Sequence, residues 1–295
     1  MYTYKQEFLA YLRKVRGFSS RTIETYDFNI NKLHVFLACP QLDCAKRSDI
    51  ADFICYLHEQ GYNPNTINNY ISSITTYYNY VCNFIDTSLV NPCSCIKHVK
   101  SGFRLPRFLT EEQMQKVFDN MQAFSGFQGS RAAAIIALFY HTGIRCSELQ
   151  SLSISNVDLR NNTIRVIGKR NKERIIPISN DCRAYLIAWL QYRDYSYDVI
   201  SYCDNFFISK QGTELTCKQI RYIVKRCLIR VVPESLAHPH VLRHSFATHL
   251  MNKGCNIEYI RALLGHASVI TTSIYTHTSI ENLQSIYNSI FNHHA

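Results

Sequence analysis

The stretch from His238 to Tyr275, HPHVLRHSFATHLMNKGCNIEYIRALLGHASVITTSIY, holds four residues whose types are hard to explain as packing: His240, Arg243, His266 and Tyr275. Upstream, Arg145 and Glu148 stand three apart in TGIRCSEL, and Lys169 begins the polar run of GKRNK. Two arginines, two histidines, a lysine and a tyrosine suit one reaction, the attack of a tyrosine hydroxyl on a phosphodiester. Charge then spreads over the non-bridging oxygens, and the planar fork of Arg145 or Arg243 can hold two of them at once. Histidine, with a reference pKa of about 6.5, reaches both protonation states near neutrality. A tyrosine hydroxyl, at about 10, is a weak nucleophile until a base takes its proton. No metal or nucleotide cofactor is required if the energy of the phosphodiester is kept in the covalent link.

Each of these residues also has a plainer reading. Taken singly, Arg145 or Lys169 is a solvated surface charge about as often as not. His240 and His244, four apart, resemble half a metal site, but HExxH is absent, so they read as supporting or core residues. His249 has no better claim to be a ligand. Tyr259 and Tyr287 sit on apolar helix faces and read as core rather than as rival nucleophiles. Cys93, Cys95 and His98 form a metal corner with no second pair of ligands at zinc spacing, so no metal site is expected.

The elements that must position these groups are mostly helical. Pro239 suits a first turn, Leu242, Phe246 and Leu250 recur at four-residue spacing, and Gly254 is a good stop, so His240 and Arg243 project from one helix face. Gly143 can end the apolar run Ala132 to Tyr140, and Arg145 with Glu148 falls within one turn of the next helix. Residues 163 to 178, TIRVIGKRNKERIIPI, change to a strand, turn, strand pattern that places Lys169, Arg170 and Lys172 at or near its tip. Thr110 and Gln113 form a capping box at the start of another helix. Tyr185 to Tyr192, Thr216 to Val232 and Ser279 to Phe291 read as further helices, the last suited to docking on its own domain or on a neighbouring copy.

Before these come four helices, set off by Ser19 or Ser20, by Ser48 or Asp49 and by Asn63-Pro64, with Pro40 ending the second. The tyrosines of the fourth read as core or interface residues. Residues 91 to 109 lose the helical period and gather Pro92, Pro106, Lys97, Lys100, Arg104 and Arg107, a basic linker by composition. The organisation expected is a helical domain over residues 1–90, a linker over 91–109 and a second domain over 110–295.

With 295 residues and 46% hydrophobic content, the chain can build the cores of two domains. Its 32 Lys and Arg against 22 Asp and Glu give a net charge of +10, which favours a polyanionic partner, nucleic acid first and an anionic membrane surface second. The first hundred residues carry ten cations and eight anions, so the second part is the more basic. Twelve scattered cysteines without a CxxC pair read as reduced thiols. The amino terminus is charged throughout and lacks the pattern of a signal peptide, and no apolar run is long enough to span a bilayer. A soluble, cytoplasmic protein without a membrane partner is expected.

GKRNKERIIPI, TGIRCSEL, HPHVLRHSFATHL and LLGHASVITTSIYTH together resemble the signatures of the tyrosine recombinase (phage integrase) family, and within it the chain is most similar to Xer-type recombinases. The resemblance spans nearly the full length. It implies a mainly α protein with a small β-hairpin or sheet, in which a helical core-type DNA-binding domain and a catalytic domain form a C-shaped clamp. Arg145 is then the first catalytic arginine and Glu148 the acidic residue that helps hold it. Lys169 is the mobile lysine that protonates the leaving 5′ oxygen, His240 the partner for the tyrosine's proton and Arg243 the second arginine. His266 bonds the scissile phosphate and Tyr275 is the nucleophile. The implied partners are duplex DNA with a specific recombination site and a tetramer of the chain with itself or with a paralogue, with exchange of the last helix and with an accessory activator left open. The implied tasks are chromosome dimer resolution or integration, excision or inversion of a mobile element.

Two other readings of the same residues stay open. Ile257 to Leu264, a turn at Gly265-His266, and Ser268 to Tyr275 pass for a helix-turn-helix, which makes the chain a sequence-specific regulator without catalysis. Telomere resolvases and type IB topoisomerases share the tyrosine chemistry, although the short chain and its Xer-like amino-terminal domain favour recombination.

Overall fold

The computed structural model describes residues 3–38, 45–100, 102, 107–122, 125–168, 173–195, 203–265 and 287. It divides into two compact units, Met1–Arg104 and Leu105–Ala295.

The first unit is built from α1 (Thr3–Lys14), α2 (Ser20–Leu37), α3 (Arg47–Glu59) and α4 (Pro64–Phe84). Local chemistry sets their starts. The Ser19 hydroxyl accepts from the Thr22 amide at 3.3 Å, and the Asn63 side chain accepts from the Thr66 amide at 2.9 Å, with Pro64 in the first turn. α3 begins slightly ahead of its Ser48 or Asp49 signal, because the Asp49 carboxylate reaches back to the Lys46 amide at 2.8 Å. Pro40 lies outside the described residues; α2 ends at Leu37, with Ala38 in a left-handed conformation. Phe8, Ile30, Leu33, Ile50, Phe53, Leu57 and Ile67 fill the core, and Tyr70, Tyr77 and Tyr78 of α4 are buried with them. Tyr77 meets Phe8 edge to face at 5.5 Å between ring centroids.

The first half of the stretch read as linker is docked on this unit. Asn68 of α4 donates to the Val99 carbonyl at 2.9 Å and accepts from the Val99 amide at 2.7 Å, and Cys93 is buried. Burial pushes the Cys93 thiol up to about 11 against a hydrogen bond from Thr75, while Cys95 faces solvent. The pair is split between core and surface.

The second unit is organised on α6 (Gly126–Thr142), which is buried from Ala133 to Thr142 and packs against α8 (Asn180–Tyr195) and α10 (Pro239–Asn252). α5 (Glu111–Gln122) precedes it and starts on the expected box, Thr110 and Gln113 exchanging bonds of 3.0 and 3.1 Å. α7 (Cys146–Gln150) follows it and leads to an antiparallel sheet of β1 (Val157–Asp158), β2 (Thr163–Ile167) and β3 (Glu173–Pro177) in that order. Register pairs Ile164 with Ile176 and Val166 with Arg174, so these four share the buried face. α9 (Cys217–Leu228) and α11 (Ile257–Leu264) complete the described elements, joined to the sheet side by a buried Phe206-Phe207-Ile208 segment on which Trp189 donates its indole N–H at 2.9 Å. Residues 279 to 291 lie outside the described residues except Tyr287, which is helical and buried and donates its hydroxyl to the His141 carbonyl. No described helix is long and apolar enough to cross a membrane.

With one side chain, Asn68 holds both the amide and the carbonyl of Val99. Asn68→Ala is expected to cost about 1–2 kcal/mol in urea unfolding and to speed amide exchange around Val99 while α2 and α4 keep their protection. Unchanged exchange at Val99 contradicts this.

Candidate active site

α6 stops because Gly143 takes a left-handed φ of +59° that bends the chain back. Two residues on, Arg145 caps α7 in extended conformation, and its backbone amide donates to Glu148 Oε2 at 2.8 Å. The same carboxylate accepts from Arg145 Nη1 at 2.9 Å. Glu148 is 4% exposed, a burial that a carboxylate tolerates only when its lone pairs are filled.

A third set of donors fills them. Arg174 of β3 lays its fork on Glu148, with Nη1 to Oε1 and Nη2 to Oε2 both at 2.8 Å, and its Nε donates to the Leu263 carbonyl at 2.8 Å. Arg243 of α10 donates through Nη1 to the Gly143 carbonyl and through Nη2 to the Leu264 carbonyl at 2.6 Å. Arg145 Nη2 donates to the Gly265 carbonyl at 3.2 Å. Three consecutive carbonyls at the end of α11 are thus each held by a different arginine. These are helix-end acceptors without intrahelical partners, at the negative end of the helix dipole, so cations are their natural caps. Gly265, at φ +65°, turns the chain out of the helix, and a Cβ there would stand 3.0 Å from Arg174 Nη1.

The charges shape one another. Burial works to raise the Glu148 pKa, but hydrogen bonds and charge from Arg174, then from Arg145, carry it down to about 2. Arg243 is lowered to about 10, first by burial and then by the charge of Arg145, with Glu148 opposing and Arg174 adding to the effect. It remains a cation at neutral pH, but a crowded one. His240, on the first turn of α10 with its surface open to solvent, is lowered by partial desolvation and then by His238, Arg243, His244 and Arg221. A neutral imidazole beside fixed guanidinium groups is a competent proton acceptor.

Of the expected site residues, the structure brings Arg145, Glu148 and Arg243 together and puts His240 one turn before Arg243 on α10. Lys169, His266 and Tyr275 lie outside the described residues; His266 follows Gly265 directly, and Lys169 follows the end of β2 by two residues. Tyr259 is half-buried rather than fully in the core, and His244, read as a supporting or core residue, is exposed and so not in the core. His249 does lie in the core, its Nδ1 at 3.0 Å from the Tyr140 hydroxyl. Among the described residues, no three His, Cys, Asp or Glu side chains gather where they could hold a metal.

Arg174 was missed by the sequence reading, which singled out only Lys169, Arg170 and Lys172 in the hairpin. Its signal was phase: in β3 it is two residues from the buried Ile176 and so falls on the inward face.

Residues 107–282 match the model of the phage integrase family, and residues 6–83 match that of the phage integrase N-terminal SAM-like domain. The chain belongs to the phage integrase family, the tyrosine recombinases. Among its relatives, tyrosine recombinase XerC of Staphylococcus carnosus is 32% identical over 96% of this chain and 95% of that protein. XerC of Staphylococcus aureus strain MRSA252 is 31% identical over 96% and 94%. Among solved structures, a XerH site-specific recombinase bound to palindromic difH substrate superposes with a TM-score of 0.71 at 25% identity, covering 96% of this chain and 84% of that one. The Tn1549 transposon integrase with transposon right end DNA shares the fold at a TM-score of 0.72 and 21% identity, covering 96% and 98%. The family is one of enzymes of DNA strand exchange, and the chain is one of them.

Gly143 is the tightest point of this site. A Cβ there would lie 2.6 Å from Phe246 Cδ1 and 2.7 Å from Leu264 Cδ2, in a backbone conformation that L residues avoid. Gly143→Ala is expected to cost about 1–3 kcal/mol in denaturant unfolding and to displace the carbonyl that Arg243 uses. Wild-type stability in that variant contradicts the tight packing.

Proposed function

We propose that the chain is a site-specific recombinase of Xer type that cleaves and rejoins DNA through a 3′-phosphotyrosine intermediate. The observation that carries this reading is the pairing of Arg145 and Arg243, two guanidinium groups fixed around one loop and one helix end, with His240 on the same helix as Arg243. Two such forks can grip the non-bridging oxygens of one phosphodiester as negative charge grows on them. Lys169, His266 and Tyr275 enter on the family signatures alone.

In the reaction, Tyr275 Oη attacks phosphorus while His240 takes the phenolic proton. A P–O bond to tyrosine forms, the P–O5′ bond breaks, and Lys169 supplies a proton to the departing 5′ oxygen. His266 hydrogen-bonds the phosphate. The 5′ hydroxyl of a partner strand then attacks the phosphotyrosine and restores the phosphodiester, so no external energy source is consumed. The XerH relative was captured with its difH substrate in a post-cleavage complex, which supports duplex DNA with a defined site as the substrate here. A tetramer of the chain with itself or with a paralogue, exchanging the last helix on that DNA, completes the proposal.

The test is incubation with a nicked suicide duplex carrying the native site, followed by denaturing electrophoresis. A denaturant-resistant adduct is expected, and it should disappear in Tyr275→Phe while DNA binding remains. A helix-turn-helix regulator gives no adduct at all, and an adduct that survives Tyr275→Phe refutes the nucleophile. Arg145→Ala or Arg243→Ala should each lower the cleavage rate by about a hundredfold or more, the loss of one oxyanion-type contact, in single-turnover assays with the fold intact. Normal cleavage by either variant excludes the clamp.

A further inference from the structure

The three guanidinium groups around Glu148 differ in what they can reach. The Arg145 side chain keeps 34% of its surface, whereas that of Arg174 keeps 5%. Arg174 spends Nε on Leu263 and both terminal nitrogens on Glu148, so it has no open edge with which to meet a DNA phosphate. It nevertheless ties together three segments on or next to which proposed catalytic residues lie: the start of α7, the end of α11 and the β2–β3 pair. Through Glu148 it holds the side chain and backbone amide of Arg145. Through Leu263 it holds the end of α11, three residues before His266. Its own strand, β3, begins four residues after Lys169 and is paired in register with β2, which ends two residues before it.

We infer that Arg174 is a positioning residue of strand cleavage, setting the relative placement of Arg145, the hairpin that carries Lys169 and the helix end that leads to His266. The inference rests on the recombinase reading above.

The geometry favours placement over simple space filling. A bidentate pair fixes the plane of the carboxylate as well as its distance, and the Glu148 plane in turn fixes where Arg145 Nη1 sits. Gly265 lacks the Cβ that would press on Arg174, so the helix end and the guanidinium are fitted to each other. Reaction rates are sensitive to such placement, a shift of about 1 Å costing on the order of a hundredfold.

Arg174 also keeps Glu148 charged. The groups facing that carboxylate are Arg145 from the start of α7, Arg174 from β3 and Arg243 from α10, with the carbonyl end of α11 beyond them. Burial pushes the carboxylate toward its neutral form, and Arg174 is the strongest influence in the opposite direction. Without Arg174 the carboxylate pKa rises. Protonated Glu148 no longer accepts two bonds from Arg145, so cleavage should then fall as the pH drops through the raised pKa. The wild-type protein, with Glu148 at about 2, has no such limb from this group above mild acid.

The experiment measures single-turnover cleavage of the suicide duplex at saturating protein, beside DNA affinity and thermal melting, for wild type, Arg174→Lys and Arg174→Met. Expected for Arg174→Met is a DNA affinity within about threefold of wild type, a cleavage rate constant down on the order of a hundredfold, and a new acidic limb in the rate profile. Adding Glu148→Gln to Arg174→Met should remove that limb without restoring the rate. Arg174→Lys keeps a cation but cannot make the fork and the Leu263 bond together, so its rate should fall between the two at unchanged affinity. If Arg174→Met does not fold, Arg174→Lys decides alone: a slower rate at wild-type affinity supports the inference, and a wild-type rate overturns it. A rate loss that merely tracks lost folded fraction or lost DNA affinity also overturns it. Absence of an adduct with the wild-type protein defeats the recombinase reading itself, whereas a wild-type adduct with undiminished rates in the variants defeats only the role of Arg174.

Discussion

The second unit is arranged around one buried negative charge. Among the described residues, Glu148 is the only carboxylate bonded to the group formed by Arg145, Arg174 and Arg243, and it pairs directly with two of these cations. The remaining compensation is dipolar, from the carbonyls of Gly143, Leu263, Leu264 and Gly265. Backbone carbonyls cannot move independently of the elements that carry them. Each arginine bond to them is therefore also a tie between α6, α11 and the element bearing the arginine. The small sheet makes sense in these terms: two registered strands deliver Arg174 at a fixed height beside Ile176 and opposite Val166, on a face otherwise apolar.

Most helices were legible because their signals are local. Thr110 with Gln113, Asn63 with Thr66 and Gly143 after an apolar run each involve residues within one turn, and the structure shows those bonds or that conformation. α8 was legible only from Tyr185 to Tyr192, short of both its ends. It starts at Asn180, where the Ser179 hydroxyl accepts from the Cys182 amide at 3.1 Å, but the polar first turn hides the apolar spacing that begins later. β1 has two residues, too few for any alternation to register. The docking of residues 91–99 uses α4 partners such as Asn68, about thirty positions from Val99, a distance at which composition is silent.

The candidate site divides in the same way. The family signatures bring Arg145, Glu148, His240 and Arg243 forward by residue type and order, and their assembly into one cluster is a tertiary fact that spacing alone does not contain. Arg174 shows the complementary failure. In a polar and charged run, NKER, a buried arginine looks like any surface cation, and only the inward phase of β3 and a carboxylate 26 residues away distinguish it. For His244, read as a supporting or core residue, α10 excludes the core alternative by turning it to solvent.

The crowding of Arg243 reaches beyond catalysis. Burial lowers its pKa first and the charge of Arg145 second, so the folded state holds two like charges near one another with little water between them. That repulsion opposes folding, and an anion between the two guanidinium groups relieves it. By linkage, what binds the folded state and not the unfolded chain raises the stability of the fold. Under the proposed recombinase reading, a DNA phosphate gripped by these two arginines therefore steadies the fold as well as reacting in it.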